Sequence, residues 1–413
     1  FVHGHTCAHP RALHGRADGS KELMKLLLVA ALATTAVASP ASTAKLSPGA
    51  RTTVQNALWK EDAWPTSPSL APGGRLSIAY FNSSRGGRVT LLHLVLTGAD
   101  ARETLLRHVA LSITYDDLSH PSVFVPAGDF FVEHGGQSGN ASFQSGSFET
   151  PFLAFRPSRS WYSYFHMPYR RSIRIELVGA AELHGPVGCE SWVQHSDVPW
   201  QEDDGYFHAH FAFQPRLKFP WQPAIFAPTD GWRGPGQLVG LAMRFSAPPQ
   251  LASAFGGTMT HVCEGNWELY LDNTTALRGN DSRTDVAAAG YQASEHAVVV
   301  TGSEDMFGYS FGWASQTTGA LSGTPLWVNH EPGAGVQLST YRFFDNAPMQ
   351  FTTSLHAQVN WAYDTGGAGK NVPADLCPAG GGCEVEYDVL SYLYLARPAD
   401  ATAEVSQLPW VAA

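Results

Sequence analysis

The chain has 413 residues, 36 of them acidic and 26 basic, giving a formal net charge of −10. That balance argues against nucleic acid and against an anionic membrane surface as partners. Only 15% of residues are charged, whereas 12% are aromatic and the chain holds 40 glycines and 27 prolines, a composition of many short strands joined by turns rather than of long helices.

Residues 1–23 contain no methionine. Met24 opens a targeting pattern: Lys25 supplies the positive end, Leu26 to Ala38 form a short apolar stretch, and Ala36-Val37-Ala38 fits small-x-small cleavage before Ser39. The stretch is shorter than the ~20 apolar residues a membrane span needs. Residues 1–38 are therefore expected to be an upstream extension plus signal peptide, and the product to be secreted and extracellular. Residues 39–56, rich in Ser, Ala and Thr, read as a flexible leader.

Strand signals follow. Leu76, Ile78 and Tyr80 alternate with smaller residues, and Val89 to Leu96 is a dense β-type run. A short helical turn is expected at Asp100–Arg107, capped by Asp100. Leu111, Ile113 and Tyr115 resume period two, as do Ile173, Ile175 and Leu177. Trp267, Leu269 and Leu271 alternate with Glu268, Tyr270 and Asp272, which predicts a half-buried strand with Glu268 on its polar face. Val298–Val300 and Tyr387–Leu395 are further strands. Glycine-rich turns separate them, and the pattern predicts an all-β sandwich.

Without Cys7, four cysteines remain: Cys189, Cys263, Cys377 and Cys383. Cys377 and Cys383 flank a short glycine-rich loop and are the preferred local disulfide, which leaves Cys189 with Cys263, though four cysteines allow three connectivities. No CxxC knuckle points to zinc. Asn82, Asn140, Asn273 and Asn280 open N-x-S/T sequons, which suit a secreted glycoprotein.

The chain has no nucleophile elbow, P-loop or dinucleotide fingerprint, and neither a cofactor nor a metal is expected. Two acidic segments stand at strand boundaries: Cys263-Glu264-Gly265-Asn266, and Gly302-Ser303-Glu304-Asp305-Met306-Phe307. Two glutamates in one pocket suit glycoside hydrolysis, one protonating the leaving oxygen while the other attacks or activates water. Two solvated loop carboxylates would give the same pattern. Asp129 precedes two phenylalanines in a block that either lines a pocket or fixes a loop. His208 and His210, two apart, share a strand face without a third metal ligand. Arg342 is suited to pairing with a buried carboxylate. Glu202-Asp203-Asp204 reads as a solvated turn rather than a calcium site, which needs six or more oxygens.

Several blocks resemble, in order, a family of α-D-furanoside-acting glycoside hydrolases of difructose-dianhydride, α-D-fructofuranosidase and α-D-arabinofuranosidase type. They are Val125-Pro126-Ala127-Gly128-Asp129-Phe130-Phe131, Tyr164-Phe165-His166-Met167-Pro168-Tyr169, Phe207-His208-Ala209-His210, Gly234-Pro235-Gly236-Gln237, both acidic segments, and Tyr341-Arg342-Phe343-Phe344-Asp345. The resemblance implies two tandem jelly-roll sandwiches, divided here as 57–214 and 215–398 with a tail at 399–413. It implies Glu264 and Glu304 as the catalytic pair, a carbohydrate substrate, and assembly into a trimer or larger homo-oligomer. Asp129, His208 and Arg342 are the substrate-binding candidates. The family's first acidic motif usually reads Gly-Glu-Gly-Asp, whereas Cys263 and Asn266 stand at its outer positions here, and the two glutamates are 40 positions apart, a longer gap than usual. A non-catalytic secreted glycoprotein of the same fold, assembling as a shell, fibre or matrix, is the alternative.

Overall fold

The computed structural model describes residues 51–57, 68–100, 102–133, 147–156, 160–219, 222–228, 230–247, 264–272, 297–309, 313, 315–331, 335–345, 347–360 and 383–398. The expected extension and signal peptide, residues 39–50 of the expected leader, Cys263, Cys377, the sequons at Asn140, Asn273 and Asn280 and the tail at 399–413 lie outside these residues. The rest of the leader is not a flexible segment: Thr52–Asn56 are strand, paired antiparallel with Trp192–Ser196.

The first half carries β1 (Thr52–Ala57), β2 (Ser69–Leu70), β3 (Arg75–Asn82), β4 (Gly87–Thr97), α1 (Arg102–His108), β5 (Val109–Tyr115), β6 (Val123–Pro126) and α2 (Ala127–Phe130). It continues with β7 (Phe148–Glu149), β8 (Leu153–Arg156), β9 (Ser160–Ser163), β10 (Met167–Tyr169), β11 (Ser172–Gly179), β12 (Val187–Ser196) and β13 (Tyr206–Ala212). The second half carries β14 (Leu217–Phe219), β15 (Ala224–Ile225), β16 (Trp232–Arg233), β17 (Gly236–Ala247), β18 (Glu264–Leu271), β19 (Ala297–Gly302) and α3 (Ser303–Met306). It ends with β20 (Thr317–Thr318), β21 (Ser322–Glu331), β22 (Gly335–Phe343), β23 (Met349–Phe351), β24 (Ser354–Asn360) and β25 (Cys383–Leu395).

These strands build two jelly-roll sandwiches from three sheets. An eight-stranded sheet runs β1-β12-β4-β9-β8-β7, with β2 and β10 attached; a five-stranded sheet runs β15-β24-β18-β19, with β16 attached. Between them a twelve-stranded sheet runs β20-β21-β22-β17-β25-β13-β6-β5-β11-β3, with β14 attached to β25 and β23 to β17. The first core joins Leu92, Leu94 and Trp161 of the eight-stranded sheet to Leu111, Ile113, Ile173 and Ile175 of the long one. The second joins Trp267, Leu269 and Val359 of the five-stranded sheet to Leu241, Met243, Phe245 and Leu338. Each fully buried large aliphatic contributes roughly 1.5–3 kcal/mol relative to exposure.

The two sandwiches share the long sheet. β17 is buried along nearly its whole length; Leu241, Met243 and Phe245 enter the second core while Val239 and Ala242 enter the first. A strand covered on both faces needs an apolar run rather than alternation, and Leu238-Val239-Gly240-Leu241-Ala242-Met243 supplies it. The described residues accordingly form one compact unit.

Three further sequence expectations need correction. Cys189 is a free thiol, fully buried in the first core on β12, so the Cys189–Cys263 disulfide is not formed. Burial pushes that thiol up to about 12, with Glu190 adding to the shift, which keeps it protonated and inert. Asp100 does not serve as a plain helix cap: its Oδ1 accepts from the backbone N–H of His184 and lies 2.6 Å from the His184 ring. On β3 the register against β11 skips Ile78; the bulge flips the facing, so Phe81 enters the core and Tyr80 is left 38% exposed. Among the described residues, no helix is long and apolar enough to cross a membrane.

Candidate functional site

β18 and β19 are antiparallel, with Glu264 opposite Gly302 and the next pair Trp267 opposite Val300. Three steps on β18 therefore match two on β19, which is a β-bulge with one inserted residue. Gly265 sits in that bulge at φ 107°, a backbone conformation that an L side chain resists. The glycine after Glu264 is thus a requirement of the local geometry.

The chain leaves β19 at Gly302 and turns immediately into α3. The Glu304 side chain folds back over Gly302: its Cδ lies 2.8 Å from the position a Cβ at 302 would take. The carboxyl group occupies the space that any side chain at 302 would need. Because Gly302 is the ladder partner of Glu264, the two acidic segments meet at one rung, where opposed Cα atoms lie about 4.5–5.5 Å apart.

The turn that carries Glu304 is held from three sides. Trp267, fully buried, donates Nε1–H to Ser303 Oγ at 2.9 Å and packs edge-on against Phe307 at 5.2 Å. Backbone N–H groups of Phe307, Gly308 and Tyr309 return to the carbonyls of Ser303, Asp305 and Glu304 at 3.1, 3.1 and 2.8 Å, with Gly308 at φ 85°. Arg342 on β22 donates Nη1–H to the carbonyls of Asp305 (3.1 Å) and Met306 (2.7 Å), its guanidinium lying 5.5 Å from the Phe344 ring centroid.

A further carboxylate lies on the same strand. Glu268 is 2% exposed and accepts from Tyr270 Oη at 2.9 Å and from Gln358 Nε2 at 2.7 Å. Period two placed it on a polar outer face; the structure buries it beside Gln358 of β24, its ladder partner. Asn266, at the altered motif position, is buried too. Nothing in the local sequence distinguishes a solvated from a covered polar face, so this row was not legible.

The remaining candidates lie elsewhere. Asp129 on α2 is 2% exposed and accepts from Arg107 Nη1 at 2.8 and 3.0 Å. Phe130 and Phe131 beside it are core residues, Phe131 stacking on Trp161 at 5.4 Å. His208 on β13 is buried and shares a 3.0 Å hydrogen bond with the Arg397 carbonyl. Burial brings its pKa down to about 4 against the raising effect of that hydrogen bond. The His210 ring meets Trp232 edge-on at 5.8 Å. Among the described residues, no group of three or more His, Cys, Asp or Glu is placed to hold a metal.

Among solved structures, the chain is similar to the STIV MCP at 12% identity, with 86% of this chain and 100% of that one covered and a TM-score of 0.34. It is also similar to a chain in the atomic structure of Sulfolobus Turreted Icosahedral Virus at 9% identity, covering 84% and 92% with a TM-score of 0.33. No curated protein matches the chain. Residues 65–185, which lie in the first sandwich and include the Val125–Phe131 and Tyr164–Tyr169 blocks, match a family described as GH172 domain-like.

Proposed function

We propose that this chain is a secreted glycoside hydrolase acting on α-D-furanosides, with Glu264 and Glu304 as its carboxylate pair. The observation that carries the reading is the shared rung: Glu264 faces Gly302 across the ladder, and the Glu304 carboxyl group sits over that glycine. The GH172 domain-like match supports the hydrolase class. The match ends at residue 185, so the choice of glutamates rests on the bulge and the turn.

The chemistry requires one carboxyl to give a proton to the leaving oxygen while the other attacks the anomeric carbon or activates water. A rigid turn suits this, because the carboxyl must be held in place as charge develops. The test is turnover of nitrophenyl α-D-fructofuranoside and α-D-arabinofuranoside. Glu264→Gln and Glu304→Gln should each lower kcat by roughly 10²–10⁴-fold with the fold intact. Unchanged turnover in either variant removes that residue from the pair.

Secretion, glycosylation and assembly into a trimer or larger homo-oligomer belong to the same proposal. Asn82 is exposed at the end of β3, open to a glycan. Trp192 and Val54, each 44% exposed on the neighbouring strands β12 and β1, supply apolar surface for a second copy. Peptide mapping for a mature start at Ser39 and light scattering at micromolar concentration test these points.

A further inference from the structure

A cleft of about 670 Å³ opens where β4, β10, β17, β23 and β25 converge, within the 300–1,000 Å³ range usual for small-molecule sites. Among the described residues, none from β18, β19 or α3 lines it. Its floor is a row across three adjacent strands: Gln237 of β17 stands opposite Gln350 of β23 on one side and Tyr394 of β25 on the other. Directly opposed residues share a face, so two amides and an aromatic ring lie in line over two strand spacings, about 10 Å. The ring is fixed, since Tyr394 Oη donates to the His166 carbonyl at 2.8 Å. Gly236 permits this crowding: a Cβ there would lie 2.8 Å from the Tyr394 carbonyl and 2.9 Å from Phe351 Cζ.

The wall is the loop between β12 and β13. Asp204 receives Arg88 Nη2 at 3.2 Å on both oxygens and the Gln201 backbone N–H at 2.8 Å. Glu202 and Asp203 stand exposed at the rim. Three carboxylates face one guanidinium that Asp204 already engages, a field that repels anions. Burial, with help from Arg88, lowers the His166 pKa against the opposing effect of Asp204, so a positive charge on its ring is disfavoured. A cation would gain little, because the uncompensated carboxylates are solvated and such contacts are worth about 0–1 kcal/mol. The surface left for a ligand is uncharged amide, carboxylate acceptors and a pinned aromatic ring. Amides give and take hydrogen bonds, carboxylates accept from hydroxyls, and the ring offers an apolar face.

We infer that this cleft binds a neutral, hydroxyl-rich oligosaccharide at a place distinct from the glutamate pair, holding it by Gln237, Gln350 and Tyr394 without cleaving it. The inference does not depend on the hydrolase reading. Isothermal titration of the full chain carrying Glu304→Gln tests it, with maltotriose, cellotriose, arabinotriose and 1-kestose as neutral probes, trigalacturonate as the anion and spermidine as the cation. At least one neutral trisaccharide should bind, and Gln237→Ala and Gln350→Ala should each weaken it at least tenfold with an unchanged circular dichroism spectrum. Any furanosidase turnover should survive both glutamine changes when Glu304 is intact. The inference is overturned by no neutral binding, by neutral binding that both glutamine variants leave unchanged, or by tighter binding of trigalacturonate or spermidine.

Discussion

Arg342 shows how a residue's chemistry and its position can point to different roles. Its type suggested pairing with a buried carboxylate and its block a substrate contact; its guanidinium instead ties down two carbonyls at the end of the Glu304 turn. Hydrogen bonds from a charged donor are worth about 1.5–3 kcal/mol. Arg342→Gln should therefore lower stability by that order and let the turn drift. A drift of about 1 Å costs roughly 10²-fold in rate, so kcat should fall while KM stays nearly constant. A raised KM with unchanged kcat would instead mark Arg342 as a substrate contact. His208 carries a pH prediction. It is neutral in the fold, with a pKa of about 4, whereas the unfolded chain takes up that proton below its ordinary value of about 6.5. The unfolded state then binds more protons between those limits, so stability should fall as pH drops from about 6.5 to about 4. The contribution is at most about 3 kcal/mol, at 1.36 kcal/mol per pKa unit. Urea midpoints across that window should slope less for His208→Asn; parallel slopes would show that other groups carry the acid sensitivity.

At the scale of elements, the bulge in β18 and the turn of α3 work together, and Gly302 is where they touch. Its φ of −146° is open to any residue, so the demand for glycine comes from the Glu304 carboxyl above it, the flexible end of a side chain. Gly302→Ala should thus leave stability within about 1 kcal/mol while pushing the carboxyl aside and costing most of the turnover. A variant that loses stability but keeps its specific activity would contradict this geometry. The same elements show what could be read in advance. Val89–Leu96, Ile173–Leu177, Trp267–Leu271 and Tyr387–Leu395 all lie in observed strands, because apolar period and β-branching are local properties. Which face each strand presents was less legible. Single-residue bulges in β3 and β18 reset the alternation, and a covered polar face such as that of Glu268 looks like a solvated one until the tertiary neighbours are in place. The acidic segments were legible as two stretches that each set a glutamate near a glycine at a strand boundary, but their meeting at one rung depends on a register between strands whose glutamates stand 40 residues apart. Cys189 failed for a related reason: an even count of cysteines suggested a partner, whereas the residue serves as a small core hydrophobe.

Over the whole molecule, the first sandwich is bound to the shared sheet by a buried ionic cluster. Arg107 of α1 reaches Asp129 of α2 at 2.8 Å, Asp388 at 3.2 Å and Glu386 at 3.3 Å, both on β25, while Arg244 of β17 holds Glu386 at 2.9 Å. The Arg107 guanidinium also lies 5.6 and 5.3 Å from the ring centroids of Phe211 and Phe213. Three acids face two guanidiniums, and the imbalance is relieved by a proton. Burial and the neighbouring Glu386 raise Asp388 well above the ordinary carboxylate range. Burial also acts to raise Glu386, but Arg244 and Arg107 outweigh it and keep that group ionised. The cluster is thus close to neutral, with Asp388 as its protonated member. Removing one partner of a buried ion pair leaves an uncompensated charge and costs about 3–5 kcal/mol, so Arg107→Met should destabilise by that amount. Asp388→Asn replaces a neutral acid by a neutral amide of nearly the same shape and should cost no more than an ordinary hydrogen bond, about 0.5–1.5 kcal/mol. Because the cluster and the long sheet join both cores, wild type should unfold in one calorimetric transition, and Arg107→Met should be the variant in which it broadens or splits. Equal destabilisation by the two substitutions would show that Asp388 is ionised in the fold, and a split transition in the wild type would show that the sandwiches are held by their own cores alone.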